Sequence, residues 1–211
     1  SGFLKIRLNH LSCQSSNRQM HQKSYTTFKF NGYPTDRDLV LALSSSDDTT
    51  RNSAFNVLLD TLQQPIYFHL RRLLGNHEDA ADAAQTTFIK VHNSLHTFAF
   101  KSKLSSWIFT ISTRQGLDLI RKRRVTEDDF ETNLASLQSD LYFDADEATA
   151  RIHAAVLTLP EKQRAVFILK YFEGLDYKSI SDATSTSVGA LKASYYHAKQ
   201  KIKPLLLSNV I

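Results

Sequence analysis

The segment LDYKSISDATSTSVGALKASYYHAKQKIK, Leu175 to Lys203, constrains this chain most, because it reads as two short helices joined by a three-residue turn. In the second helix Val188, Leu191, Tyr195, Ala198 and Ile202 recur at steps of three and four. On a cylinder of 3.6 residues per turn they form one stripe, which predicts a buried face. Ser187, Gly189, Ala190, Lys192, Ala193, Ser194, Tyr196, His197 and Lys199 lie around the rest of that cylinder, and no acidic residue occurs between Ser187 and Lys203. Small, polar and cationic side chains let a helix lie in a DNA major groove with phosphate contacts at its rims. Ser187 suits the N-cap, where its hydroxyl accepts from free backbone amides. The pattern is that of a helix-turn-helix; the plainer alternative is a basic solvated helix on an ordinary bundle.

Six glycines and four prolines in 211 residues are few, and the apolar residues recur at helical spacing. The expectation is an all-α protein of two small helical domains joined by a flexible acidic linker. A single cysteine, Cys13, excludes an internal disulfide framework and a cysteine-rich zinc site, and fits a reducing cytoplasm. No run of eighteen apolar residues predicts a membrane span, and the N-terminus lacks the apolar core of a signal peptide.

The net charge of +5 is unevenly distributed. Residues Val125 to Ala148 hold eight acids and no Lys or Arg, so the remainder carries 26 basic against 13 acidic side chains. Such a balance marks a polyanion-binding protein whose basic parts are separated by an acidic tether. The tether either acts on the bound machinery as a nucleic-acid mimic or simply stays solvated.

Residues 1–34 carry five basic side chains, no acids and little periodicity, and read as a basic tail that opens on an added Ser1-Gly2 remnant. Residues 35–124 are densely helical. Phe55, Leu58, Leu59, Leu62, Ile66, Leu70 and Leu73 make one long stripe, with Pro65 expected to bend the helix and Gly75 to end it. Ala81, Ala84, Phe88, Val91 and Leu95 predict the buried face of the next helix, with Asp79, Asp82 and Gln85 pointing elsewhere. A loop over 97–102 leads to a helix through Trp107, Ile108, Ile111 and Leu119 that ends in Arg121, Lys122, Arg123 and Arg124. Four cations exceed what helix capping needs. After the linker, 125–148, a last domain at 149–211 starts with Ile152, Val156 and Leu159 and continues through Val166, Phe167 and Leu169 to Gly174. At roughly sixty residues its core is marginal.

Two stretches carry a resemblance. Leu159 to Ile202, LPEKQRAVFILKYFEGLDYKSISDATSTSVGALKASYYHAKQKI, resembles region 4 of bacterial sigma factors. RRLLGNHEDAADAAQTTFIKVHNSLHTF, followed by SSWIFTISTRQGLDLIRKRR, resembles region 2. Their order, with only a short linker between them, is similar to the compact extracytoplasmic-function class and covers about residues 36 to 205. The resemblance implies that Asp79, Asp82, Gln85 and Thr86 meet the clamp helices of the polymerase largest subunit, the carboxylates pairing with arginines. It implies that Phe98, Ala99, Phe100, Lys101, Ser102, Lys103, Trp107, Arg114, Arg121, Arg123 and Arg124 hold the −10 strand, aromatic faces replacing lost base stacking. Ser187, Gly189, Ala190, Lys192, Ala193, Ser194, Tyr196, His197 and Lys199 would face the −35 element, and Phe167, Tyr171 and Phe172 the polymerase flap.

Several positions depart from the family pattern: Thr86 stands for a glutamate, Phe100 for a small residue, Arg114 for an asparagine, Ser185 for the turn glycine, and Ser194 and His197 for arginines. The change at Thr86 alters the expected polymerase contact, and those at the DNA-facing positions shift the expected promoter reading. The implied partners are core RNA polymerase, promoter DNA and a sequestering anti-sigma protein, with no cofactor and no catalysis of the chain's own. Two other readings compete. One is a free-standing helix-turn-helix regulator. The other is an enzyme built on His92 and His96, which lie four apart, with nearby carboxylates; neither a metal motif nor a nucleophile set supports it.

Overall fold

The computed structural model describes residues 28–126 and 147–207. The basic tail through residue 27, the acidic segment 127–146 and the side chains of Arg124, Val125, Thr126, Glu147, Ala148, Thr149, Ala150, Ala183 and Leu207 lie outside the described residues. Apart from one isolated bridge, Phe30 with Tyr33, the regular structure among the described residues is helical.

Four helices make the first half: α1 (Asp36–Leu43), α2 (Asp48–Leu74), α3 (His77–Ser94) and α4 (Leu104–Thr126). Thr35 and Asp38 close a capping box on α1, and Asp47 caps α2 by accepting from the Thr50 amide at 2.8 Å. α2 runs through Pro65 and stops at Gly75, whose φ of 87° is the left-handed region that favours glycine. Asn76 then caps α3 through the Asp79 amide at 2.9 Å. Along α2 the expected stripe is buried from Leu58 to Leu73, with Phe55 and Leu59 packed at its edge. On α3 the buried face starts at Ala80 rather than Ala81, because Thr87 and Ala83 join the turn that faces α2 and α4.

The second half comprises α5 (Glu147–Leu157), α6 (Glu161–Phe167), α7 (Tyr177–Thr184) and α8 (Val188–Leu207). α6 widens into a π turn over Ile168–Phe172, with the Glu173 amide donating to the Ile168 carbonyl at 3.1 Å. Gly174 at φ 66° ends it, as the sequence indicates. On α8 Leu191, Ala198 and Ile202 are buried, whereas Val188, on the first turn, is 38% exposed.

The halves keep their own helices but share their cores. Leu73 of α2 lies in the cluster of Val156, Leu159, Phe167, Ile168, Ala198 and Ile202, and Leu169, Leu175, Ile180 and Leu191 join the cluster built on α2, α3 and α4. Each buried Leu or Ile contributes about 1.5 to 3 kcal/mol, so a sixty-residue module gains from borrowing its neighbour's surface. Gly116 permits the close approach of α4 to α2: a Cβ there would stand 2.5 Å from Leu73 Cδ2. Arg164 fastens the junction, donating to the carbonyls of Leu73 at 2.9 Å, Leu157 at 2.8 Å and Leu159 at 3.1 Å. Two of these carbonyls, Leu73 and Leu157, belong to helix ends, where no backbone amide remains to satisfy them.

Candidate nucleic-acid interface

The helix-turn-helix is built from caps. Asp176 accepts from the Ser179 amide at 2.8 Å and starts α7. That amide, with the Ser179 hydroxyl, the Lys178 amide and the Lys170 charge, holds the Asp176 carboxyl below its ordinary value against partial burial. α7 ends at Thr184, and the chain reverses through Ser185 at φ 52° and ψ 37°. Ser187 Oγ then accepts from the Ala190 amide at 3.3 Å, as the sequence predicts. Across the turn, Ile180 and Leu191 are buried and fix the angle between α7 and α8.

What α8 leaves outward is the predicted set. Ser187, Gly189, Ala190, Lys192, Ala193, Tyr196, His197 and Lys199 are exposed and Ser194 is half-buried. Tyr196 is 59% exposed, its ring edge-on to His197 at 5.7 Å. Lys170 and Lys192 stand 5.0 and 5.9 Å over the Tyr177 ring. Tyr195 lies inward; burial, then the neighbouring Tyr177 and Tyr171 hydroxyls, push its phenol up. Of the three aromatics implied for a polymerase contact, Phe167 is buried, Phe172 is partly buried, and Tyr171 is 54% exposed, stacked on Phe167 at 5.1 Å.

In the first half the turn Leu95–Thr97 leads into a loop that rests on Phe98. Phe98 is buried and supports the other aromatics, with Phe100 at 4.8 Å and Trp107 at 5.3 Å between ring centroids. Trp107 is partly buried on the core, while Ala99, Lys101 and Lys103 are exposed and Ser102 is half-buried. Phe100 is the outward aromatic, 47% exposed at φ 55°. Bulky residues rarely adopt that left-handed conformation, and backbone strain of this kind clusters at ligand sites. Farther along α4, Arg121 pairs with Asp118 at 3.1 Å, and Arg123 reaches Asp79 on α3. Asp79 is thus half-buried and shared between the two predicted surfaces, whereas Asp82 and Thr86 are open and Gln85 is half-buried.

Sequence reading misses the polar residues at the junction. His69, Thr113 and Glu173 are fully buried there. The Thr113 hydroxyl donates to the Phe109 carbonyl at 2.8 Å, so it accepts from His69 Nε2 at 2.9 Å. His69 Nδ1 meets Glu173 Oε1 at 3.3 Å, Arg72 Nη1 stands 3.5 Å from the same oxygen, and the Arg72 guanidinium lies 4.5 Å over Phe172. His69 and Arg72 sit in the run HLRRLL, where charge inside an apolar stripe is the one available signal. Arg114 Nη2 donates to the Asp182 carbonyl at 2.9 Å, and the Leu104 amide donates to Asp36 Oδ2 at 2.7 Å. No local pattern marks either pair. His92 packs edge-on to Phe55 at 5.5 Å.

Comparison with known proteins matches residues 58–126 to sigma-70 region 2 and residues 149–202 to sigma-70, region 4. The chain is similar to the ECF RNA polymerase sigma factor SigW of Bacillus subtilis, 28% identical over 166 residues that cover 72% of this chain and 89% of that protein. It is 30% identical to the RNA polymerase sigma-H factor of Pseudomonas aeruginosa, again over 166 residues, 72% of this chain and 86% of that one. In fold it resembles the sigma factor RpoE in complex with the anti-sigma factor NepR from Bartonella quintana, with a TM-score of 0.58 at 21% identity over 74% of this chain and 98% of that one. CnrH in complex with the cytosolic domain of CnrY gives a TM-score of 0.60 at 23% identity over 82% and 98%. Among the described residues no helix is long and apolar enough to cross a membrane. With both regions matched in order, and with such a relative covered over most of its length, this chain belongs to the extracytoplasmic-function class of sigma-70 factors and is an alternative sigma factor.

Proposed function

We propose that this sigma factor recruits core RNA polymerase and grips one promoter at two places, through residues 35–124 at the −10 element and 149–211 at the −35 element, with 125–148 as the acidic connection. The observation that carries this reading is the outward face of α8: small, polar and cationic, free of acids, and mounted on a buried Leu191 stripe. Asp82 and Thr86, flanked by Asp79 and Gln85, offer polymerase a polar ridge on α3 whose carboxylates suit arginine forks. Phe100, Lys101 and Lys103, backed by Phe98 and Trp107, offer an unpaired −10 base an aromatic face among phosphate-binding cations. Arg114, Arg121, Arg123 and Arg124 extend that basic track along α4. Lys192 and His197 read or clamp the −35 groove.

The chain contributes positioning and strand separation, and polymerase contributes the chemistry. Its place is with polymerase and DNA in the cytoplasm. By analogy with RpoE, whose solved structure holds the anti-sigma factor NepR, a sequestering protein is its expected regulator. Membership in the sigma family favours this reading over the free-standing regulator, which would bind duplex DNA specifically without polymerase.

Transcription with core polymerase over a randomised promoter library tests the proposal. Specific start sites should appear only when the chain is added. Lys192→Ala and His197→Ala should shift the upstream preference, and Phe100→Ala the downstream one; Lys192→Ala should also lower the salt dependence of binding by about one phosphate contact. An absence of specific initiation would refute the reading.

A further inference from the structure

Resting on the −10 reading above, we infer that Arg37 on α1 is a second wall of the base-holding site, and that an unpaired base of single-stranded promoter DNA stacks between its guanidinium and the ring of Phe100. The Arg37 guanidinium lies 5.6 Å from the Phe100 centroid. Arg37 lies upstream of the segment that matches sigma-70 region 2, which begins at residue 58.

Three features make the pair more than a chance approach. α1 is tied to the loop, because Asp36 accepts from the amide of Leu104, the residue that follows Lys103 and opens α4. That bond couples the start of α1 to the end of the loop. The two acids beside Arg37 are already committed: Asp36 to Leu104, and Asp38 to the Thr35 amide at 3.0 Å and hydroxyl at 2.7 Å. The ring itself is held outward at φ 55° instead of folding onto the core, with buried Phe98 tilted against it.

A guanidinium and an aromatic ring are the two planar surfaces on which unstacked bases are held in nucleic-acid sites. In the free protein the cation covers an aromatic face that would otherwise meet water. Arg37 is exposed at the end of a long side chain, so it lifts by the thickness of a base without disturbing α1. Lys101 and Lys103, exposed on the same loop, take the flanking phosphates. Asp36 acts as a positioning residue, since it carries the loop to the guanidinium without reaching the base.

The test uses holoenzyme assembled from full-length chain and core polymerase. The probe is a fork-junction DNA bearing the −10 sequence recovered from the promoter library, with 2-aminopurine at the unpaired positions. Arg37→Ala should weaken fork binding about tenfold and raise the fluorescence of one position, leaving polymerase binding unchanged. Arg37→Lys, which keeps the charge but loses the plane, should restore the salt dependence while recovering less than half of the fluorescence quenching. If Arg37→Ala binds and quenches like the unaltered chain while Phe100→Ala loses both, the second wall is wrong and the loop reading stands. If neither substitution matters, both are wrong. Full rescue by Arg37→Lys would reduce Arg37 to a phosphate contact and overturn the stacking role.

Discussion

Arg114 on α4 donates from Nη2 to the carbonyl of Asp182 at 2.9 Å, joining the helix proposed for the −10 strand to the first helix of the helix-turn-helix proposed for the −35 element. Asp182 lies in the last turn of α7, where carbonyls lack intrahelical partners, so the guanidinium serves as a capping cation from the other half of the molecule. The bond is exposed, and such a contact contributes about 1 kcal/mol. Arg114→Ala should therefore lower unfolding stability by about that amount in urea titration. It should shift the downstream base preference in transcription far more than so small a destabilisation explains.

The buried cluster at the junction of the two halves is a larger matter. Glu173 is fully buried against His69 and Arg72, and removing its carboxyl leaves the mostly buried Arg72 guanidinium uncompensated, at about 3 to 5 kcal/mol. Glu173→Ala should produce that loss in chemical denaturation. His69→Ala combined with Glu173→Ala should cost less than the sum of the single changes, because the two residues share one interaction.

Ser185 turns the helix-turn-helix at φ 52°, where a Cβ is disfavoured by about 1 to 2 kcal/mol. Glycine removes that strain but adds freedom to the unfolded chain. Ser185→Gly should accordingly raise the melting temperature slightly, by an amount equivalent to less than about 1 kcal/mol. Ser185→Val should lower it by more, since branching adds to the same clash.

The Asp176 cap predicts a pH dependence. Its folded carboxyl titrates below the ordinary 3.8, so the unfolded chain takes up the proton first as the solution is acidified. Its stabilising contribution is complete above 3.8 and is lost as pH falls through the lower folded value. Asp176→Ala should cost about 1 kcal/mol at neutral pH. The gap from the unaltered chain should narrow in acid melts below pH 4; a gap independent of pH would show that the cap is not ionic.

The helices of this protein, and the face of α8 that meets solvent, are written in its sequence, because 3.6-residue periodicity and capping residues act over three or four positions. Leu191, Ala198 and Ile202 turn inward, Ser187 caps, and Lys192 and His197 turn outward for reasons contained within one helix. The ends of the stripes were less legible: Val188 stays exposed and Ala80 replaces Ala81, because the neighbouring helix decides where contact begins.

The docking of the two halves, the pairing of His69 with Glu173 across 104 positions, and the seating of Arg37 over Phe100 belong to the tertiary structure alone. These partners are brought together by the packing of α1, α2, α4 and α6, and no local rule reports which distant group will be packed against which. Sequence therefore specified the parts and their outward chemistry, and burial of shared surface decided how those parts hold one another.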